Sequence, residues 1–102
     1  MPNMRRVVRI ETKPGRAEAM REALHRLQSA TLTEAGCNEF RFFQAIDDSD
    51  GSFLLVEDFA DAATLEQHMQ MPHTKAFFSE DLVLSVAPIE RDWTTDARGE
   101  VR

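Results

Sequence analysis

The chain has 102 residues and a formal net charge of −6, from 12 basic and 18 acidic residues. This length gives one small domain and leaves no room for a separate cofactor-binding domain. The negative charge repels phosphate backbones and anionic lipids, so we expect neither nucleic acid nor a membrane surface as a partner. The N-terminus lacks the apolar core of a signal peptide, and no apolar run reaches membrane-spanning length. A cytoplasmic location is therefore expected.

The first quarter of the chain predicts a strand followed by a helix. Residues 4–12 surround two adjacent valines with alternating apolar and charged side chains, and a Lys-Pro-Gly turn over 13–15 ends the strand. Apolar residues then recur at three- and four-residue spacing from Arg16 to Ala35, which predicts an amphipathic helix. Gly36 is expected to end this helix in the left-handed C-cap conformation.

The middle of the chain predicts a β-hairpin. Aromatic and aliphatic residues alternate with polar ones over 38–46, as in a strand with one buried face. Acidic residues, serine and glycine fill 47–51 and are typical of a tight turn. A third strand is predicted over 52–59, and it is apolar on both faces. Such a strand requires a cover on each side of the sheet.

The last third predicts a helical segment and a closing strand. Asp61 has the side chain and position of an N-cap for a short helix that reaches about Gln70. Pro72 starts another helical stretch, because proline is well tolerated at the first helical position. A final strand lies within 83–93 and is interrupted or delayed by Pro88.

The order of these elements predicts an α+β fold. A ferredoxin-like βαββαβ chain forms a four-stranded antiparallel sheet with its helices on one face. We expect residues 1–94 to form this single domain and residues 95–102 to form a polar C-terminal tail. Face-to-face pairing of two sheets is the simplest cover for the other face, so a homodimer is expected.

Several short motifs resemble the antibiotic biosynthesis monooxygenase (ABM) family. They are Lys13-Pro14-Gly15, Glu34 to Cys37, Glu57 followed by Asp61, His68, and Pro72-His73 with Lys75, Ala76 and Phe77. The resemblance implies a dimeric α/β barrel of ferredoxin-like subunits. It also implies a monooxygenase that uses dioxygen to oxidise a small phenolic, quinol or polyketide-like substrate without a cofactor.

Three residues are the candidates for acid–base chemistry. His68 can point from its predicted helix toward the sheet, where an imidazole could take a proton from a phenol or an enolisable ketone. His73 could serve as a second acid–base group, and Glu57 could orient a histidine or act as a base. We expect Arg9 or Arg41 to neutralise Glu57 or the carboxylate beside it.

Apolar residues are the candidates for the substrate pocket, because a planar aromatic substrate needs an apolar site with few polar groups. Phe77 is the best candidate for lining it, and the others are Met69, Phe53, Phe42 and Trp93. The chain has no tyrosine, which excludes a mechanism that needs a phenol side chain.

No metal and no cofactor are predicted. The two histidines are five positions apart with Pro72 between them, which is not the spacing of a metal-binding pair on one helix. In haem-degrading relatives a tryptophan falls near His68 and the proximal histidine near Phe78, so both are replaced here. Two alternatives stay open: an acid–base isomerase of a small carbonyl compound, and a non-enzymatic dimeric ligand-binding domain.

Overall fold

The computed structural model describes residues 3–47 and 51–89. Its elements, in chain order, are β1 (Met4–Thr12), α1 (Ala17–Thr31), β2 (Cys37–Gln44), β3 (Ser52–Phe59), α2 (Ala62–Gln70), α3 (Pro72–Ser79) and β4 (Val83–Pro88). Trp93, the 94/95 boundary and the predicted tail lie outside the described residues. Within the described part of the chain, no helix is long and apolar enough to cross a membrane.

The four strands form one antiparallel sheet in the order β2-β3-β1-β4. This confirms the predicted ferredoxin-like α+β fold, with the second helical segment divided into two helices. In the register of the central strands, Val8 lies opposite Leu55 and Ile10 opposite Phe53. These side chains belong to the face that the helices cover, so they form the buried core together with one side of α1.

Helix α1 packs on the sheet through the residues that its periodicity predicts. Met20, Leu24, Leu27 and Thr31 are all buried. The predicted end of the helix is wrong, because it stops at Thr31 instead of Ala35. The segment that follows contains hydrogen-bonded turns, in which the N–H of Glu34 donates to the carbonyl oxygen of Thr31 and the N–H of Cys37 donates to that of Glu34.

Gly36 has a different role from the predicted C-cap. Among the described glycines only Gly15 and Gly51 have a positive φ, so Gly36 is not left-handed. A Cβ placed on Gly36 would lie 2.2 Å from Cγ2 of Thr64. The glycine therefore allows the start of α2 to approach the loop closely, which is a packing requirement that the local sequence does not reveal.

Helices α2 and α3 begin as the sequence predicts. Oδ1 of Asp61 accepts a hydrogen bond from the backbone N–H of Thr64 at 2.8 Å, so Asp61 is the N-cap of α2. Pro72 occupies the first turn of α3. The short connection between the helices places His68 in the last turn of α2 and His73 in the first turn of α3.

The other face of the sheet is not covered by any described helix. Strand alternation places Val7, Leu54, Val56 and Phe43 on this face, because their sequence neighbours point into the core. Phe43 is 48% exposed. We call these four side chains the outer apolar patch.

Candidate active site

One carboxylate joins the two histidines that the sequence singles out. Oε2 of Glu34 lies 2.9 Å from Nδ1 of His68 and 2.5 Å from Nε2 of His73. A carboxylate oxygen only accepts hydrogen bonds, so each of these ring nitrogens carries the hydrogen and donates it. We refer to the three side chains as the Glu34 network.

Three separate elements hold the Glu34 network together. Glu34 lies in the turns after α1, where its N–H donates to the carbonyl oxygen of Thr31 at 2.9 Å. Its own carbonyl oxygen accepts from the N–H of Cys37 at 3.1 Å, where β2 begins. The backbone of the carboxylate is thus fixed on both sides, while α2 and α3 supply the imidazoles. This geometry depends on the fold and not on sequence spacing.

The two imidazoles differ in their access to solvent. His68 is 3% exposed, and the rings of Phe40 and Phe59 lie 5.2 and 5.0 Å from its centroid. Oγ1 of Thr74 lies 3.4 Å from Nδ1 of His68, the same nitrogen that contacts Glu34. The His73 side chain is 23% exposed. His73 is therefore the member of the network that a solute can reach.

The carboxyl group of Glu34 is buried beside the same two imidazoles. Its side chain is 8% exposed, and no described lysine or arginine forms an ion pair with it. A buried carboxylate is costly unless hydrogen bonds or a nearby positive charge stabilise it. Protonation of either imidazole supplies that positive charge. An imidazole at hydrogen-bond distance from a carboxylate has the residue types and the geometry of a general base with its orienting partner.

Glu57 lies outside this network. The side chain is 2% exposed, and Oε2 pairs with Nη2 of Arg6 at 2.7 Å. The expectation that Arg9 or Arg41 neutralises Glu57 is wrong, because the register places Arg6 directly opposite it on β1. The neighbouring carboxylate, Asp58, pairs with Arg5 at 3.7 Å. Glu57 therefore forms an ion pair between β3 and β1. It has no described hydrogen bond or ion pair with either histidine of the network.

The predicted substrate residues fall in different places. Phe77 is buried in the core, with the ring of Phe78 at 5.1 Å, whereas Met69 is 41% exposed on α2. Phe42 and Phe53 line a pocket of about 260 Å³ between α1 and the sheet. This pocket does not reach the Glu34 network. The structure therefore brings two of the candidates together, and Trp93 lies beyond the described residues.

The Glu34 network has the residue types of a metal site, but its ligand atoms are not arranged around a common centre. The three ligand atoms lie within 4.8 Å of one another. A bound zinc or iron ion needs all its ligands at about 2.0–2.2 Å from a common centre. Instead, Oε2 of Glu34 lies at hydrogen-bond distance from both His68 and His73. The arrangement is that of a hydrogen-bonded relay.

The single cysteine is close to the network but is not a nucleophile. Burial, and then the carboxylates of Glu34 and Glu57, raise the pKa of the Cys37 thiol to about 11. The thiolate is the reactive form of cysteine, so a raised pKa makes this thiol inert near neutral pH.

Glu34 is the functional candidate that the residue pattern did not identify. It lies 34 positions before His68 and 39 before His73, in a loop with no periodicity. The only signal in the sequence is its place in the Glu34–Cys37 motif.

The chain matches a known protein family. The ABM family model, described as antibiotic biosynthesis monooxygenase, matches residues 4–80. The chain belongs to this family. No protein with a curated function matches its sequence.

Solved structures support the same assignment. PA3566 from Pseudomonas aeruginosa is 30% identical with a TM-score of 0.79, and the match covers 86% of this chain and 90% of that one. SO0527 from Shewanella oneidensis is 27% identical with a TM-score of 0.74, over 84% and 85% of the two chains. Rv0793 from Mycobacterium tuberculosis shares the fold at 20% identity, with a TM-score of 0.73 over 86% and 93%.

Proposed function

We propose that the protein is a monooxygenase that needs no cofactor and oxidises a small phenolic, quinol or polyketide-like substrate with dioxygen. The observation that carries this proposal is the Glu34 network, in which one buried carboxylate oxygen accepts hydrogen bonds from two imidazoles. The ABM family description supplies the reaction class. The proposed partners are the aromatic substrate and dioxygen.

The chemistry requires little from the protein beyond proton transfer. Dioxygen reacts slowly with closed-shell molecules, but a deprotonated quinol is electron-rich enough to donate an electron to it. The resulting substrate radical and superoxide combine at a ring carbon to form a peroxide, and loss of water leaves a hydroxyquinone. Quinol and dioxygen thus give hydroxyquinone and water, with no external reductant. The base that deprotonates the quinol is the group that the protein must supply.

We assign contact with the substrate to His73 and a positioning role to His68. His73 is the partly exposed imidazole, and its Nδ1 holds a lone pair when Nε2 donates to Glu34. Glu34 orients this tautomer and stabilises the imidazolium that forms. His68 fixes the carboxylate from the core side, because Phe40 and Phe59 enclose its ring.

An oxygen electrode tests this proposal with a panel of simple hydroquinones and phenols. We expect the wild type to consume dioxygen with at least one of them and His73→Asn to lose most of that rate. Lys75→Ala is the matched control, because Lys75 is exposed two positions further along α3. Equal rates for wild type and His73→Asn would contradict the assignment of His73 as the base.

A second candidate function is non-enzymatic ligand binding. It is favoured by the pocket beside Phe42 and Phe53, which does not reach the Glu34 network. The same assay separates the candidates. A ligand that binds without turnover supports the binding function, and loss of substrate without loss of dioxygen supports the isomerase alternative.

We also propose that two copies of the chain pair through the outer apolar patch. Val56 is central to this patch, which no described helix covers. Light scattering should give about twice the chain mass of 11.6 kDa for the wild type. Val56→Glu should give the monomer mass, whereas Ile46→Glu, in the exposed turn, should stay dimeric. A monomeric wild type would refute this pairing.

A further inference from the structure

We propose that the pocket between α1 and the hairpin binds a small aromatic oxyanion, meaning a flat ring that carries a carboxylate or phenolate oxygen. The pocket has a volume of about 260 Å³, which is enough for one or two fused rings. We call it the α1–β2 pocket. The residues that line it are Arg21, Leu24, His25, Gln28, Phe42, Phe43, Gln44 and Phe53. Of these, Phe43 lies between Phe42 and Gln44 on β2, and strand alternation assigns its side chain to the outer apolar patch.

Helix and strand periodicity assemble this site from two directions. Arg21, Leu24, His25 and Gln28 are spaced so that they share one side of α1. The opposite wall comes from the end of β2 and from Phe53 of β3. Gln28 links the two walls, because its Oε1 accepts the backbone N–H of Phe42 at 2.9 Å. The pocket is therefore formed by regular elements and not by a mobile loop.

The apolar part of the lining fits an aromatic ring. Phe42, Phe53 and Leu24 supply it, and the ring of Phe42 is held edge-on by Phe40 at a centroid distance of 5.4 Å. Aromatic pairs prefer edge-to-face or offset arrangements, and a flat ligand can add to such a stack.

The polar part of the lining requires an acceptor. Oε1 of Gln44 accepts from Nη2 of Arg21 at 2.9 Å, which fixes the orientation of the amide. Nε2 of Gln44 is then buried without a hydrogen-bond partner among the described residues. A buried donor without an acceptor is unfavourable, so an oxygen atom in the pocket would be stabilised there.

The charges around this donor favour an anion. Arg21 brings its guanidinium to the rim of the pocket, and His25 adds a further ring N–H. Nη1 of Arg21 pairs with the exposed Glu18 at 3.0 Å, and a ligand anion would compete with this weak surface pair for the guanidinium. Within 3–47 and 51–89, no carboxylate lines the pocket. A ligand with a carboxylate or phenolate oxygen would meet both the unpaired amide donor and the positive charge of Arg21.

This site goes beyond the proposed monooxygenase activity, because it does not include the Glu34 network, and it gives the second candidate function, ligand binding, a specific class of ligand. Phe40 lies between the two, with its ring against Phe42 on one side and against His68 on the other. A molecule in the pocket cannot exchange a proton directly with His68. Binding there is therefore independent of turnover and can be measured without it.

Benzoate titrated into the 15N-labelled protein, followed by amide NMR spectra, tests the proposal. We expect saturable shifts for the Gln44 side-chain amide and for residues 21–28. Cyclohexanecarboxylate, which has the charge without the flat ring, and benzylamine, which has the ring with the opposite charge, should each bind at least about tenfold more weakly.

Variants identify the donor. Gln44→Leu removes it and should weaken benzoate binding roughly tenfold, and Gln44→Glu, which keeps the size and can still pair with Arg21, should abolish binding by repulsion. Arg26→Ala is the matched control, because Arg26 is an exposed α1 arginine that pairs with Glu80 outside the pocket. Dispersed spectra confirm that each variant is folded.

The outcomes separate this proposal from the proposed function. His73→Asn should keep full benzoate binding even when it has lost oxygen consumption. Shifts that do not saturate, or equal affinities of the wild type and Gln44→Glu, would overturn the α1–β2 pocket as a ligand site. Neither result bears on the Glu34 network.

Discussion

Replacement of Glu34 by alanine tests whether the network forms as described. The substitution removes the only acceptor that both imidazoles share. His73 can turn to water, because its side chain is 23% exposed. His68 cannot, because it is enclosed by aromatic rings, and the Thr74 hydroxyl at 3.4 Å is the remaining described hydrogen-bonding group near the orphaned nitrogen.

The expected cost follows from these environments. A buried donor without a partner costs ~1–3 kcal/mol, and an imidazole that exchanges its acceptor for water loses ~0.5–1.5 kcal/mol. Removal of the buried carboxylate returns part of its desolvation penalty. We therefore expect Glu34→Ala to lower the free energy of unfolding by ~2 kcal/mol, which for a chain of this size lowers Tm by about 10 °C. Glu34→Gln should cost ~1 kcal/mol, because its carbonyl oxygen can still accept hydrogen bonds.

Urea unfolding followed by circular dichroism measures this difference. Glu22→Ala is the control, because Glu22 is an exposed glutamate of α1, and it should change the free energy of unfolding by less than ~0.5 kcal/mol. A double-mutant cycle with His73→Ala should show coupling between the two side chains. If Glu34→Ala is no more destabilising than the control, the carboxylate does not hold the histidines and the site is refuted.

Three further predictions concern the surroundings of the network. Cys37 in the folded protein should react slowly with a thiol-specific disulfide reagent until the pH approaches about 11, whereas the unfolded chain should react readily near neutral pH. Equal reaction rates for the folded and unfolded chains would contradict the raised pKa. Gly36→Ala should lower the free energy of unfolding by ~1–3 kcal/mol, and adding Thr64→Ser, which removes the clashing methyl group, should recover part of this loss. An unchanged free energy of unfolding for Gly36→Ala would refute the close approach. Hydrogen bonds from the hydroxyl and backbone N–H of Thr64 hold the pKa of Asp61 below its usual range, so its stabilising effect is present near neutral pH and is lost as the pH falls through the lowered pKa. Asp61→Ala should therefore lower the urea midpoint at about pH 7 and have little effect at about pH 2; an equal loss at both would contradict the cap.

Local patterns predict most of the fold because the forces that set it act locally. The bounds of β1 and β3 and the N-cap at Asp61 agree with the sequence, since alternation and capping need only near neighbours. The predicted C-cap at Gly36 is wrong because this glycine allows a close approach to Thr64, which is distant in sequence. Packing partners of this kind become visible only when the elements are assembled.

The candidate site is predicted only in part, for a related reason. His68 and His73 attract notice as the two histidines of one motif, and the structure does bring them together. The group that joins them is Glu34, not the predicted Glu57, because the strand register pairs Glu57 with Arg6. A carboxylate in a loop has no periodicity to mark it. Its role depends on where α1 ends and on how two later helices pack.

The most direct test of the central claim is the fate of labelled dioxygen. The wild type, treated with a chelator and given a reactive hydroquinone under 18O2, should form a hydroxyquinone that contains one labelled oxygen atom. His73→Asn should form little of this product, and Lys75→Ala should form as much as the wild type. Formation of unlabelled product, or equal labelled product from the wild type and His73→Asn, would contradict the claim that the Glu34 network drives oxygen transfer.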